Sequence, residues 1–297
     1  MNATSPATLV YLNGEFLPYD QASLSIDDRG TLFSDGVYEV LEYFAGRPFA
    51  MQQHVDRLKY SLAGICIDPP SVVDELPAIS DELIRRNDMP DARVYWQVTR
   101  GPAPRNHLPP SDPTPTVLVT TTPTQPLSSN PPARQWKAIT HEDLRWKRCC
   151  YKTLMLLPNT LAKQQAKRDG CQEAILHQGV AVTEGGSTNV FVVRDGELWT
   201  HPANEAILRG ITRDLVIDYA RAMDLTVHET AVTLDELRQA DEVFVTGTTT
   251  HVTAITHIDG HPIQLGEVGP VTASLHDAYE QQLMQACCTA GQTSPHA

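Results

Sequence analysis

Lysine is scarce in this chain of 297 residues, occurring only at positions 59, 137, 147, 152, 163 and 167. Basic side chains number 23 against 36 acidic ones, a formal net charge of -13. That balance argues against a nucleic-acid partner, whose phosphates need cations to neutralise them. No apolar run approaches the roughly 20 residues that span a bilayer, and the opening MNATSPATLVYLNG lacks the basic-then-apolar order of a secretory signal. A soluble cytoplasmic protein is expected. The six cysteines, at 66, 149, 150, 171, 287 and 288, make no C-x-x-C pair. Adjacent cysteines are poorly placed to bridge one another or to share a zinc ion, so reduced, mostly buried thiols and no metal site are expected. Walker A, EF-hand and zinc-finger spacings are missing, as are internal repeats and low-complexity tracts.

What is present is enough chain for one large or two medium domains. TLVYLNGEFLPY reads as a hairpin turning at Asn13-Gly14, and DGVYEVLEYFAGRPFAM as a second strand pair. Val55, Leu58, Leu62 and Ile65 recur at helical steps between Gln52 and Ile65, and another helix is expected from about Val73 to Arg86. A strand ARVYWQVTRG, a proline-broken loop PAPRNHLPPSDPTPT and a strand TVLVTTT follow. The Pro/Ser/Thr/Asn-rich stretch after it marks a domain boundary. We therefore place a first domain at 1–121, a linker at 122–134 and a second domain at 135–297. In the second, strands WKAITH, EAILH, VAVTEG, TVHETAV and EVFVTG alternate with helices including Leu161–Lys167, Thr212–Met223 and LDELRQA. Hairpins turn at Asp195-Gly196 and within HVTAITHIDGHPI, and HDAYEQQLMQAC forms a terminal helix before a disordered TAGQTSPHA. The fold class is α/β (α+β).

Two residues stand in settings that folding alone does not demand. Lys152 precedes the apolar run Leu154, Met155, Leu156, Leu157. Burial disfavours an ammonium ion, lowers its pKa and frees the amine as a nucleophile or base. Its other reading is a snorkelling or ion-paired lysine at a strand end, and the local sequence does not choose. Glu184 stands between the strand Val180 to Val182 and the small-residue turn Gly185, Gly186, Ser187. Two later stretches could hold an anion. Gly210 leads into a helix whose first amides, at Ile211 and Thr212, have no intrahelical acceptor, although an ordinary helix start capped by Thr212 reads the same. VTGTTTHVT is a hydroxyl-rich turn, or a plain strand end. Together a reactive amine, a buried carboxylate and a phosphate cup are what pyridoxal 5'-phosphate requires.

The chain resembles the class IV aminotransferases, and within them the D-amino-acid aminotransferases, from about Tyr11 to about Glu280. The resemblance rests on DRGTLFSDGVYEV, HVDRL, QVTRGPAPRNH, RWKRCCYKTLMLLPNTLAKQQA, EAILH, VTEGGSTNVF, THPAN, ILRGITRD and FVTGTTT, in that order. It implies a two-domain fold, a smaller N-terminal α/β domain and a larger C-terminal mixed β domain with helices, with the cofactor at the domain interface. By the resemblance Lys152 forms the Schiff base with pyridoxal 5'-phosphate and moves the proton. Glu184 pairs with the protonated pyridine nitrogen, and Leu208 packs on the ring. Arg57, the amides of Ile211 and Thr212, Ser187, Gly247 and Thr248 complete the cofactor contacts. Tyr38, Arg105 and His107 trap the substrate carboxylate, with Arg105 and His107 contributed across a homodimer interface.

The activity this implies is ping-pong transamination from D-amino acids, D-alanine above all, to pyruvate or 2-oxoglutarate. Branched-chain L-aminotransferases share Lys152 and Glu184 but normally lack the arginine–histidine loop. An aminodeoxychorismate lyase, or a ligand-binding relative without catalysis, are the other readings. The chain departs from the family pattern at Gly186 and Gly247, where relatives often carry serine, and at His251, where many have an acidic residue.

Overall fold

Three dipeptides ending in glycine, Asn13-Gly14, Asp195-Gly196 and Asp259-Gly260, turn the chain where the sequence places hairpins. Their φ angles are 49° and 99°, 52° and 75°, and 51° and 80°, the doubly positive geometry whose twist suits paired strands. The computed structural model describes residues 9–129, 131–264 and 266–289. These divide into two units. One takes in the chain up to Leu127, Tyr151–Met155 and the stretch from Met284 onward; the other takes in Ser128–Cys150 and Leu156–Leu283. Most of the C-terminal segment expected to be disordered lies outside the described residues.

The first unit is built on an antiparallel sheet of β1 (Leu9–Leu12), β2 (Glu15–Pro18), β3 (Gly36–Phe44), β4 (Arg47–Pro48), β5 (Ala92–Thr99) and β6 (Thr116–Pro123), in the order β2-β1-β6-β5-β3-β4. Alternate side chains Val37, Leu41 and Tyr43 of β3 and Val94, Trp96 and Val98 of β5 enter one core. Two helices cover it, α2 (Met51–Gly64) and α3 (Leu76–Arg86), after a short α1 (Arg29–Phe33). Of the stripe Val55, Leu58, Leu62 and Ile65 foreseen for α2, the first three are buried, while Ile65 follows the helix as its C-cap and is half-buried; α3 buries Leu76, Ile79, Leu83 and Ile84. Trp96 is fully buried, and its indole N–H donates to Ser80 Oγ at 2.8 Å, which satisfies that donor inside the core. The sequence gives no periodic signal for α1, which is too short to show one; Asp28 caps it by accepting from the Gly30 amide at 2.8 Å.

In the second unit a mixed sheet runs β12-β11-β10-β13-β14-β7-β8-β9, with β15 beside β14. Its strands are β7 (Arg134–Glu142), β8 (Glu173–Gln178), β9 (Ala181–Gly185), β10 (Asn189–Arg194), β11 (Glu197–Thr200), β12 (Val227–Glu229), β13 (Glu242–Gly247), β14 (His251–Ile258) and β15 (His261–Pro262). β7 is parallel to both neighbours, β14 and β8, and β11 to β12. The helices are α4 (Leu157–Arg168), α5 (Ile211–Ala222), α6 (Leu234–Arg238) and α7 (Pro270–Met284). Val190, Val192, Val243, Val245 and Ile255 form the centre of the core.

Two local expectations change. TVHETAV yields only the three residues of β12, and the strand stops before Thr230. The apolar run after Lys152 does not go inward as a whole: Met155 and Leu157 are 42% and 68% exposed, since α4 starts at Leu157 and turns that side chain away from Ala162 and Ala166, which it buries.

Candidate cofactor and substrate site

Lys152 belongs to the short segment that returns to the first unit. Its carbonyl accepts from the Tyr38 amide at 3.0 Å, its amide donates to Ser61 Oγ at 3.1 Å, and Val37 and Thr153 form an isolated bridge. The backbone is thus fixed on the end of β3. The ammonium nitrogen stands 4.3 Å from the centre of the Tyr38 ring, a cation over a π face. Tyr38 in turn packs on Tyr95, ring centres 5.7 Å apart.

Arg57 projects from α2 into a buried polar cluster in the same unit. Its Nε and Nη2 donate to the two oxygens of Glu39 at 2.7 and 2.8 Å, the bidentate fork that fixes a guanidinium in one plane. His54 Nδ1 lies 2.7 Å from the same carboxylate. Burial opposes ionisation of Glu39, but Arg57 and His54 hold it down at about 2. Burial holds His54 below the usual histidine range, with Glu39 pulling the other way and the Arg57 and Lys152 charges adding to the depression. A neutral His54 donates from Nδ1 to Glu39. Arg57, called from the resemblance, therefore comes with two orienting partners that sequence alone does not reveal, because Glu39 reads as one more polar position in an alternating strand.

Arg105 and His107 lie on the loop between β5 and β6. Both are exposed in the single chain. The Arg105 guanidinium stands 5.5 Å from the centre of the Phe33 ring, and the His107 ring meets Phe33 edge-on at 5.6 Å.

Glu184 lies near the end of β9 in the second unit and is 4% exposed. Both its oxygens accept from the Leu208 amide at 3.1 Å. Asn189 Nδ2 donates to Glu184 at 3.0 Å and to the Leu208 carbonyl at 2.8 Å. The Arg145 guanidinium pairs with Glu184 through Nη1 and with Asp143 through Nη2 and Nε, the latter two at 2.7 and 2.8 Å. Burial raises the Glu184 carboxyl to about 7, against the pull of Arg145 and the Leu208 amide and with the repulsion of Asp143 added. Asp143, although burial opposes it, is held lower by the same guanidinium. Two carboxylates thus share one cation. Arg145 and Asn189 both lie inside quoted motifs, yet neither residue type announces an orienting role before the fold is known.

Gly210 lies against Asn189, where an added Cβ would fall 2.1 Å from Asn189 Oδ1. Gly210 caps α5 with no side-chain hydrogen bond to the cap, so Ile211 and Thr212 occupy the first turn and Thr212 is not the cap. Ser187 lies in the turn between β9 and β10. An added Cβ at Gly247 would lie 3.6 Å from the Ser187 carbonyl, which puts that turn against the turn of Gly247 and Thr248. The Thr250 amide closes the latter on the Gly247 carbonyl at 3.2 Å.

The departures at 186 and 251 acquire physical reasons. A Cβ at Gly186 would stand 2.9 Å from Lys163 Cδ and 3.1 Å from Glu173 Oε1. The fully buried Glu173 accepts from the Gly186 amide at 3.2 Å and from Thr188 Oγ1 at 3.0 Å, so the turn is braced on Glu173 without a hydroxyl at 186. His251 sits 2.6 Å through Nδ1 from Glu280 on α7. The carboxylate of that contact comes from the helix, and a basic residue is the complement at 251.

Residues 36–258 match the family described as amino-transferase class IV. A D-alanine aminotransferase from Listeria innocua is 42% identical over 280 residues, covering 94% of this chain and 97% of that protein. One from Staphylococcus epidermidis is 38% identical, covering 93% and 98%. Among solved structures, the branched-chain amino acid aminotransferase of T.th. with pyridoxamine 5'-phosphate superposes with a TM-score of 0.86 at 28% identity, covering 97% of this chain and 96% of that one. The Escherichia coli branched-chain enzyme gives 0.84 at 26%, covering 92% and 94%. The chain belongs to the class IV aminotransferases, enzymes that use pyridoxal 5'-phosphate to move an amino group between an amino acid and a 2-oxo acid.

Proposed function

We propose that this enzyme transfers the amino group of D-amino acids, with D-alanine as the donor, to pyruvate or 2-oxoglutarate in a ping-pong cycle. The observation that carries the reading is the Arg105–His107 pair on one loop, a fork of donors with an imidazole beside it, suited to a carboxylate. It is supported by relatives of about 40% identity named for D-alanine.

The residues present fit the cofactor. Asp143, Arg145 and Glu184 carry one positive and two negative charges when ionised, and a protonated ring nitrogen at Glu184 would balance that excess. The side-chain-free cap at Gly210 leaves helix amides for a phosphate. When bound, pyridoxal 5'-phosphate supplies an aldehyde that takes the amino group and a ring that draws electrons from the bond being broken. In this reading Lys152 holds the cofactor through its ε-nitrogen and carries the proton from the substrate α-carbon. Glu184 keeps the ring nitrogen protonated, and Leu208 packs on the ring. Arg57, the Ile211, Thr212 and Gly247 amides, Ser187 and Thr248 hold the phosphate, with Glu39 and His54 setting the plane of Arg57. Tyr38, Arg105 and His107 bind the substrate carboxylate in a homodimer to which the partner supplies the loop pair. A cytoplasmic setting belongs to the same reading.

The solved neighbours favour one rival, a branched-chain L-aminotransferase. A coupled assay with D-alanine, L-alanine and L-leucine as donors to 2-oxoglutarate separates the two. D-alanine should be used with the highest kcat/KM; preference for L-leucine would assign the enzyme to the rival class.

A further inference from the structure

The loop carrying Arg105 and His107 has little secondary structure of its own, yet it is tied at root and tip. At the root, Gly101 has φ +88°, and a Cβ there would fall 1.8 Å from the Thr114 carbonyl. The two ends of the loop touch, and only glycine permits it. Alongside, the Arg29 amide donates to the Gly101 carbonyl at 3.0 Å and the Ala103 amide to the Asp27 carbonyl at 3.1 Å. Asp28, buried between them, accepts from Thr99 Oγ1 at 3.0 Å and Thr116 Oγ1 at 2.7 Å, one from each strand flanking the loop.

At the tip the tie is a single side chain. Arg29 is 4% exposed. Its Nη1 donates to the Asn106 carbonyl at 2.6 Å and its Nη2 to the His107 carbonyl at 3.3 Å. Its Nε donates to Asp35 at 2.8 Å, an oxygen that Arg100 Nε also reaches at 2.8 Å. Arg100 is itself locked on the Ile65 and Cys66 carbonyls at 2.8 Å each. Phe33, one turn from Arg29, packs under it at 4.7 Å and also meets Arg105 and His107. The aromatic ring contacts both side chains, and the guanidinium fixes the backbone from which they spring.

We infer that Arg29 is the positioning residue of the substrate-carboxylate trap, acting through the Asn106 and His107 carbonyls and, with Phe33, setting the spacing of Arg105 and His107. The inference rests on the reading of Arg105 and His107 as carboxylate-binding groups. It needs no contact between Arg29 and substrate, and it holds whichever protomer's site the loop serves, because Arg29 and the loop share one chain. Ordering a loop costs conformational freedom, and a residue that meets that cost before substrate arrives lowers KM without touching the reacting atoms. A lysine could keep the charge opposite Asp35, but it has no planar fork for two successive carbonyls and a carboxylate.

The test uses the holoenzyme and its Arg29→Lys, Arg29→Met and Arg105→Ala variants. Loss of charged hydrogen bonds of this kind predicts that Arg29→Met raises KM for D-alanine on the order of tenfold, with kcat changed far less and the cofactor absorbance and retention unaltered. Arg29→Lys should fall between. A second readout needs no activity. Trypsin cuts after Arg105, and freeing the tip should speed cleavage at that bond, followed by mass spectrometry, without speeding it elsewhere. An unchanged KM in Arg29→Met while Arg105→Ala raises it overturns the role of Arg29 and leaves the trap standing. An unchanged KM in Arg105→Ala removes the trap and this inference with it. Should Arg29→Met fail to fold, Arg29→Lys decides: normal KM together with normal cleavage at Arg105 rejects the proposal.

Discussion

Glu184 lies against the guanidinium of Arg145, whose other edge is held by Asp143. The pair is buried, and one cation cannot fully balance two carboxylates. The imbalance falls on the residue read as the partner of a ring cation.

That relationship has a pH signature in the cofactor-free protein. Burial raises Glu184 from 4.5 to about 7, so the folded chain holds a proton there that the unfolded chain has already lost. Its contribution is fully present below about pH 4.5 and disappears as pH rises through about 7. By linkage the loss across that window is about 3 kcal/mol at most. Glu184→Gln, which cannot ionise, should gain stability relative to wild type between about pH 5 and about pH 8. Urea unfolding of the two apoproteins at both pH values measures this, and a pH-independent difference refutes it. Turnover of the variant should fall, because an amide cannot hold the ring nitrogen protonated.

Lys152→Ala should reduce transamination by about two to four orders of magnitude, the range of a lost general base. The fold should survive. The side chain's contact is the Tyr38 ring, worth about 0.5–1 kcal/mol, while the bonds that fix the segment come from the backbone. Near-normal turnover in a variant with an unchanged circular dichroism spectrum would sink the assignment.

Glu39→Gln tests the orientation of Arg57. An amide offers one oxygen to a fork that now meets two, and turns an N–H toward a cation. Cofactor dissociation should rise about tenfold, while KM for D-alanine at saturating cofactor stays near wild type. Because Glu39 is held down at about 2, its own stabilisation is present above the unfolded value of 4.5 and fades only as pH falls toward 2. Equilibrium dialysis near neutral pH isolates the cofactor effect. A rise in KM with unchanged cofactor affinity would move Arg57 out of the phosphate contacts.

Much of this was legible in the sequence. The three glycine turns, the stripe of α2 and the strands of both sheets follow from turn chemistry and periodicity, which are local properties. Lys152 and Glu184 stood out because their surroundings were wrong for ordinary surface residues. The residues that orient the site did not. Glu39, His54, Asp143, Arg145, Asn189 and Arg29 are common polar types, and the meaning of most of them lies in partners far along the chain: Arg145 bonds Glu184, Asn189 bonds Leu208, and Arg29 bonds Asn106. The apolar run after Lys152 misled for the opposite reason, since hydrophobicity alone does not say that α4 begins inside it.

His251 and Glu280 offer a pair whose energy can be separated from catalysis. His251 is 7% exposed with φ +55°, packed beside Tyr279 and bonded to Glu280 at 2.6 Å. It opens β14 immediately after the turn of Gly247 and Thr248, so the pair anchors that turn to α7. His251→Asp sets two carboxylates together in a buried place and should cost about 3 kcal/mol. Glu280→Gln alone should cost about 1–2 kcal/mol, as expected for a weakened hydrogen bond to a buried group. In the double variant the repulsion is gone, an aspartate can accept from the amide, and the loss should be smaller than the sum of the two. Urea unfolding of the four proteins gives the coupling energy directly. Additive losses would mean that the two side chains do not sense one another, and the histidine at 251 would then have no electrostatic reason.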